Sequence, residues 1–295
     1  MFNKIRKLFI LASLLILAVS YLPVKGYAEG EDQNNVRIDI NKKVPLQSFN
    51  GPLLEFTFDS NGDINSFKAV DPNTKNSDEI SIRGEVAGEL GVQTIIYPNI
   101  GSKTITVGYY VATASGIPAT SLSISYDLQR GVTRYSSKSN AGYAFDSKIL
   151  PVVGSTNTKT ISITQTGYYQ VKFTLDVFFS NGTQKSYNAS SDTVLLNRMA
   201  RPYPTIYTDP ISGKSVSEPS ADWTKTSSPV SWTQTDINRF RTWYEGTYNL
   251  TNFQWGAYEI HHIRPRIYGG TNDNSNLIPL PPSIHSSYTA FFSGY

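Results

Sequence analysis

Tyr258-Glu-Ile-His261-His262-Ile-Arg264-Pro265 is the stretch on which the reading of this sequence turns. Tyr258 to Ile263 is rich in β-formers and predicts a short strand, stopped at Pro265, which cannot donate to a ladder. Tyr268-Gly-Gly-Thr-Asn-Asp-Asn274 is a dense turn cluster in which Gly269 and Gly270 are both available for positive φ. Asn276-Leu-Ile-Pro-Leu280 is a second short apolar run, and Pro281-Pro282 opens a helix, proline being tolerated in the first turn. Ile284, Tyr288, Phe291 and Phe292 recur at i, i+4, i+7 and i+8, one face of that helix, and Gly294 is placed to end it. The predicted order is strand, loop, strand, helix. All 3 histidines of the chain, His261, His262 and His285, lie in this tail. Histidine is the side chain best suited to be both a metal ligand and a proton carrier near neutral pH.

The pattern H-H-x-x-P-x-x-x-G-G, followed by N-L-x-x-L and then H, resembles the His-Asn-His (HNH, ββα-metal) endonucleases. It is most similar to the nuclease domains of colicin-like bacteriocins and related bacterial toxins, including Glu259 two residues before the histidine pair. The resemblance covers residues 258–295 and implies a role for each matching position. His261 and His285 match metal ligands, and His262 matches the general base that takes a proton from the attacking water. Asn276 matches the middle asparagine, which braces the loop and orients the base. Glu259 is implied to orient a neighbouring basic group or the base. The chemistry asks for such parts on its own account, because a phosphodiester needs an activated water and a cation on its oxygens. His285, in the first helical turn, meets a positive dipole end that favours the neutral imidazole a metal requires. Thr289 stands where several relatives carry a further ligand, so two protein ligands are expected, with water and phosphate completing the shell. Neighbours on a regular strand point to opposite faces. For both rings of the pair to face one site, they must sit at the strand's end, where the chain bends toward Pro265. One divalent ion is implied; two imidazoles suit Zn, Ni or Mn, and phosphate chemistry also permits Mg.

Net charge is +3, and from Arg198 onward 8 basic residues face 7 acidic ones, a faint footprint for a nucleic-acid binder. Arg264 and Arg266 flank the motif and are the candidates for gripping phosphate. The absence of cysteine excludes disulfides and thiolate chemistry.

Residues 1–28 read as a secretory signal. Lys4, Arg6 and Lys7 precede an apolar run from Leu8 to Leu22, and Gly26-Tyr-Ala28 offers small residues before a cleavage point. That run is short of the about 20 apolar residues a membrane span needs, so no stable span is expected after cleavage. Residues 29–196 alternate strand-like runs with turn signals. Leu54 to Phe58 ends at Asp59-Ser-Asn-Gly62, and Thr104 to Val111 and Ser121 to Tyr126 alternate with period two. Gly167-Tyr-Tyr through Phe179 leads by Ser180-Asn-Gly-Thr183 into a returning strand and resembles the late hairpin of immunoglobulin-like sandwiches. Residues 197–222 read as a linker by their Pro, Ser, Thr and Gly content, which persists to Pro229. Asp236 to Tyr244 predicts a helix capped by Thr235. The tryptophans Trp223, Trp232, Trp243 and Trp255 are read as the apolar supplement that so small a nuclease domain, 223–295, needs.

The expected protein is an N-terminal immunoglobulin-like β-sandwich carrying a small α+β (ββα-metal) nuclease domain. Its expected activity is metal-dependent hydrolysis of a nucleic acid, with DNA favoured over RNA, outside the bacterial cell that secretes it. The toxin resemblance implies an immunity protein in that cell. Two other readings stay open: a non-toxic scavenging nuclease, and a surface-binding β protein with a structural or degenerate metal site.

Overall fold

The computed structural model describes residues 49–58, 64–70, 77–81, 88–116 and 119–295, so the signal read at 1–28 and the turn read at 59–62 lie outside the described residues. Apolar residues alternate along most strands and sort them into two antiparallel sheets. The first holds β1 (Phe49–Phe58), β2 (Ile64–Val70), β3 (Ser77–Ser81), β4 (Gly88–Asn99), β5 (Thr104–Ser115) and β8 (Thr156–Ser162), in the order β3-β2-β1-β4-β5-β8. The second runs β10-β9-β6-β7, from β6 (Ala119–Gly131), β7 (Ser139–Ile149), β9 (Gly167–Phe179) and β10 (Gln184–Ser190), with β11 (Val194–Leu196) also on β9.

Period two decides what is buried. Leu54, Phe56 and Phe58 of β1, Val107 and Val111 of β5, Leu122, Ile124, Tyr126 and Leu128 of β6, and Val171, Phe173, Leu175 and Val177 of β9 share one core. Residues between them on β6 and β9 are Ser, Asp, Lys and Thr, and all but buried Ser123 stay in contact with water. The chain is thus mostly β-sheet, with a small helical region at its C-terminal end. No described helix is long and apolar enough to cross a membrane.

Residues 197–222, whose composition suggests a linker, do not behave as a free tether. Asn197, Ala200, Asp209, Val216 and Ala221 are buried, and Thr208 bridges Ser215 across a tight turn. The segment lies between the sheets and the tail and binds both. Tyr168 and Leu195 from the second sheet form one apolar cluster with Ala221, Tyr268, Phe291 and Phe292. Asn197 Nδ2 donates to the Phe291 carbonyl at 2.7 Å, and Arg134 meets Glu218 at 2.6 Å. Sheets and tail belong to one compact unit.

The tail begins with α1 (Gln234–Thr247), followed by β12 (Glu259–His262), β13 (Leu277–Leu280) and α2 (Pro282–Ser293). The α1 cap is Thr233, two residues before the position expected. Thr233 and Asp236 bond each other's backbone N–H groups reciprocally, a capping box that fixes the first turn. Phe240 and Tyr244 of α1 close over Leu277 with partly buried Trp232, Trp243 and Trp255, while Trp223 stacks on Phe292. Gly269 has φ +83°, but Gly270 is needed for a different reason. A Cβ there would lie 1.7 Å from the Arg264 carbonyl oxygen.

Candidate functional site

The site is built on a two-stranded antiparallel ladder. Glu259 pairs with Leu280, Ile260 with Pro279, His261 with Ile278 and His262 with Leu277. The ladder stays regular through both histidines, so the strand pleat sends their rings to opposite faces. The bend that would turn both toward one side is absent, and the structure separates the pair.

Glu259, His261, Ile278 and Leu280 share the face that meets α2. His261 is 6% exposed, with its ring 5.1 Å from the His285 ring and 5.4 Å from that of Tyr288. Its Nε2 is buried without a hydrogen-bond partner. Burial, reinforced by the nearby His285 and His262, pushes the His261 imidazole down to about 3, so it is neutral at physiological pH. His285 Nδ1 is held by the Glu259 carboxylate. That contact places the proton on Nδ1 and leaves Nε2 with its lone pair, the arrangement by which a carboxylate orients a metal-binding imidazole.

Tyr288 fixes α2 from behind. Its hydroxyl donates to the Thr205 carbonyl at 3.0 Å and accepts from the Tyr207 N–H at 3.1 Å. Lys214 braces the entry to β13 by donating to the carbonyls of Asn274 and Leu277. The 197–222 segment therefore backs the site on two sides.

Two imidazoles bound to one tetrahedral ion at about 2.0–2.1 Å would have ring centroids about 5.2 Å apart. The observed 5.1 Å matches that spacing. A buried, neutral, unpartnered Nε2 is otherwise costly. The ring spacing and the unpartnered nitrogen are what a cation shared by His261 and His285 would need, with Glu259 behind His285. Among the described residues, no group of three or more His, Cys, Asp or Glu side chains is gathered to hold an ion. Thr289 is exposed.

On the opposite face, His262 meets the Trp232 ring edge-on at 4.6 Å, and its Nε2 lies 3.0 Å from Asn272 Oδ1. Burial lowers its affinity for a proton; the Asn272 bond opposes this, Arg266 adds to it, and Asp236 opposes it. Asn276 does not touch either ring. Its Oδ1 accepts from Arg264 N at 2.8 Å, and its Nδ2 donates to the carbonyls of Thr271 at 2.8 Å and Arg264 at 3.1 Å. It cross-braces the loop from Arg264 to Asn276.

The two arginines differ. Arg264 Nε donates to the Tyr268 carbonyl at 2.6 Å, and its guanidinium lies 5.0 Å from the Trp223 ring centre. It is committed to the loop. Arg266 donates through Nη1 to the Val230 carbonyl at 2.7 Å and sits close enough to His262 to repel its proton. Sequence reasoning missed Asn272, and it read Trp232 and Tyr288 as core residues, not as parts of the site. Only the density of turn formers around Asn272 hinted that side chains there would organise the loop. Comparison with protein-family models and with curated proteins gave no match to this chain.

Proposed function

We propose that this chain is an exported, metal-dependent endonuclease of the His-Asn-His type, acting on DNA as an antibacterial toxin. The observation that carries the reading is the buried, unpartnered Nε2 of His261 beside His285, on a strand-strand-helix unit whose next residue is a second, half-buried histidine. The motif spacing supplies the family resemblance, and the matching imidazole separation supports it. Export and the toxic role rest on the sequence at residues 1–28 and on that resemblance. An immunity protein in the producing cell follows from the same reading. The two-sheet part is read as an immunoglobulin-like sandwich. Tyr169 supports this, since its hydroxyl donates to the Gln165 carbonyl four residues upstream at 2.7 Å, as in a tyrosine corner.

Among the described residues β12 pairs only with β13, so its other edge is open to a phosphodiester approached from both faces. A divalent ion held by His261 and His285 would supply Lewis-acid stabilisation of charge on the phosphate oxygens. His262 takes the proton from water as the water oxygen bonds to phosphorus and the bond to the 3′ oxygen breaks. Glu259 keeps His285 in the ligating tautomer. Arg266, with guanidinium donors left beyond its bond to Val230, steadies a phosphate. Asn276 keeps the Arg264–Asn276 loop in register behind them.

The test is plasmid cleavage by the full chain after chelation and metal add-back. His262→Ala should keep metal affinity and lose cleavage by about 100-fold or more, whereas His285→Ala should lower both. Equal cleavage by wild type and His262→Ala would refute the base assignment.

A further inference from the structure

We infer that Asn272 is a positioning residue, which locks His262 in the Nε2–H tautomer and makes Nδ1 the atom that accepts the proton. The inference rests on the reading of His262 as the general base. Asn272 Nδ2 donates to the Ser231 carbonyl at 2.7 Å, which leaves Oδ1 facing His262 Nε2 at 3.0 Å. A carbonyl oxygen only accepts, so the proton of a neutral ring must sit on Nε2, and the lone pair on Nδ1. Rotating the amide would set its oxygen against the Ser231 carbonyl, lone pair against lone pair, with no gain at the imidazole.

The amide also bonds the Asp236 side chain, and the backbone around it is held from α1. The Arg239 guanidinium donates to the Asn272 backbone carbonyl and, through Nη1, to Asn274 Oδ1 at 3.1 Å. Ser231 and Trp232 run directly into the capped start of α1, so the helix that carries Arg239 also fixes the amide's acceptor and the ring against which His262 rests. Among the described residues, the His262 ring makes no hydrogen bond other than the one to Asn272. Remove it and no other hydrogen bond among the described residues selects one tautomer. A base with its lone pair on the wrong nitrogen cannot take a proton at the right place, however well the ring is packed.

The experiment uses the full chain with ¹⁵N-labelled histidine, freed of metal, at about pH 8, where histidine is neutral. Two-bond ¹⁵N–¹H correlations report which ring nitrogen carries the proton. Wild type should show His262 as a single Nε2–H species. Asn272→Ala should show mixed tautomers and lose about tenfold or more in kcat with KM unchanged. Asn272→Asp keeps an acceptor toward Nε2 but loses the donor to Ser231, so it should keep the single tautomer while kcat falls less than in Asn272→Ala. A His262 tautomer unchanged in Asn272→Ala overturns the inference, as does an unchanged kcat once the tautomer has become mixed. If His262→Ala cleaves as wild type does, the base reading falls instead, and the tautomer measurement still decides whether Asn272 sets the ring.

Discussion

Acid should destabilise this chain through one imidazole before that ring ever becomes charged in the folded state. His261 is held near 3 in the folded protein, against an ordinary value of 6.5. Between those values the unfolded chain binds a proton that the folded chain refuses, so stability is fully present above 6.5 and is lost as pH falls toward 3. At about pH 5 the solution is about 1.5 pH units below the unfolded value, and each is worth about 1.4 kcal/mol, giving a loss of about 2 kcal/mol. The assay is urea unfolding of metal-free wild type and His261→Phe at about pH 7.5 and about pH 5. Phenylalanine fills the space beside Tyr288 and His285 without a titrating nitrogen. Acidic and basic groups other than the neighbouring His285 and His262 titrate in both proteins and cancel in the difference. Wild type should lose about 2 kcal/mol more than His261→Phe over this interval. Excess metal should steepen the wild-type dependence, because the ion binds only the unprotonated ring. Parallel losses in the two proteins would show that His261 is not held neutral by burial, and the orphan-nitrogen argument for a cation would fail with it.

Gly270→Ala should cost about 3 kcal/mol or more, because the new Cβ meets backbone at 1.7 Å and the Arg264 loop must move; a loss below about 1 kcal/mol in denaturant titration would contradict this. Thr233→Ala should cost about 1 kcal/mol through the lost capping box, while Thr235→Ala, at an exposed first-turn position, should stay within about 0.5 kcal/mol; the reverse order would move the cap back to Thr235.

Much of the architecture is legible in side-chain parity. Alternation along Thr104–Val111 and Gly167–Phe179 marks strands that the structure contains, and Tyr288, Phe291 and Phe292 mark the buried face of α2. Parity also implies that His261 and His262 diverge, as they do. The start of α1 was harder to place, because its first turn is polar and the apolar period begins only at Ile237. The Thr-x-x-Asp spacing from Thr233 was the available signal. Residues 197–222 were misleading for a different reason. Composition records polarity, whereas burial there depends on partners far away in sequence, such as Phe291 for Asn197 and Tyr244 for Asp209. The contact between His262 and Asn272 was invisible because it spans an irregular loop, which no periodicity describes.

The last residues of the chain are stitched back to the point where the tail departs from the sheets. The Arg198 N–H donates to the Gly294 carbonyl at 3.1 Å, and the Tyr295 hydroxyl reaches the Ser220 carbonyl. Ile211, at an exposed turn between these anchors, is the kind of spot a protease clips. A cut there would sever the backbone and yet free no fragment, since both halves would remain clasped through Tyr168, Leu195 and the paired phenylalanines. Gel bands would report two pieces where sedimentation reported one particle.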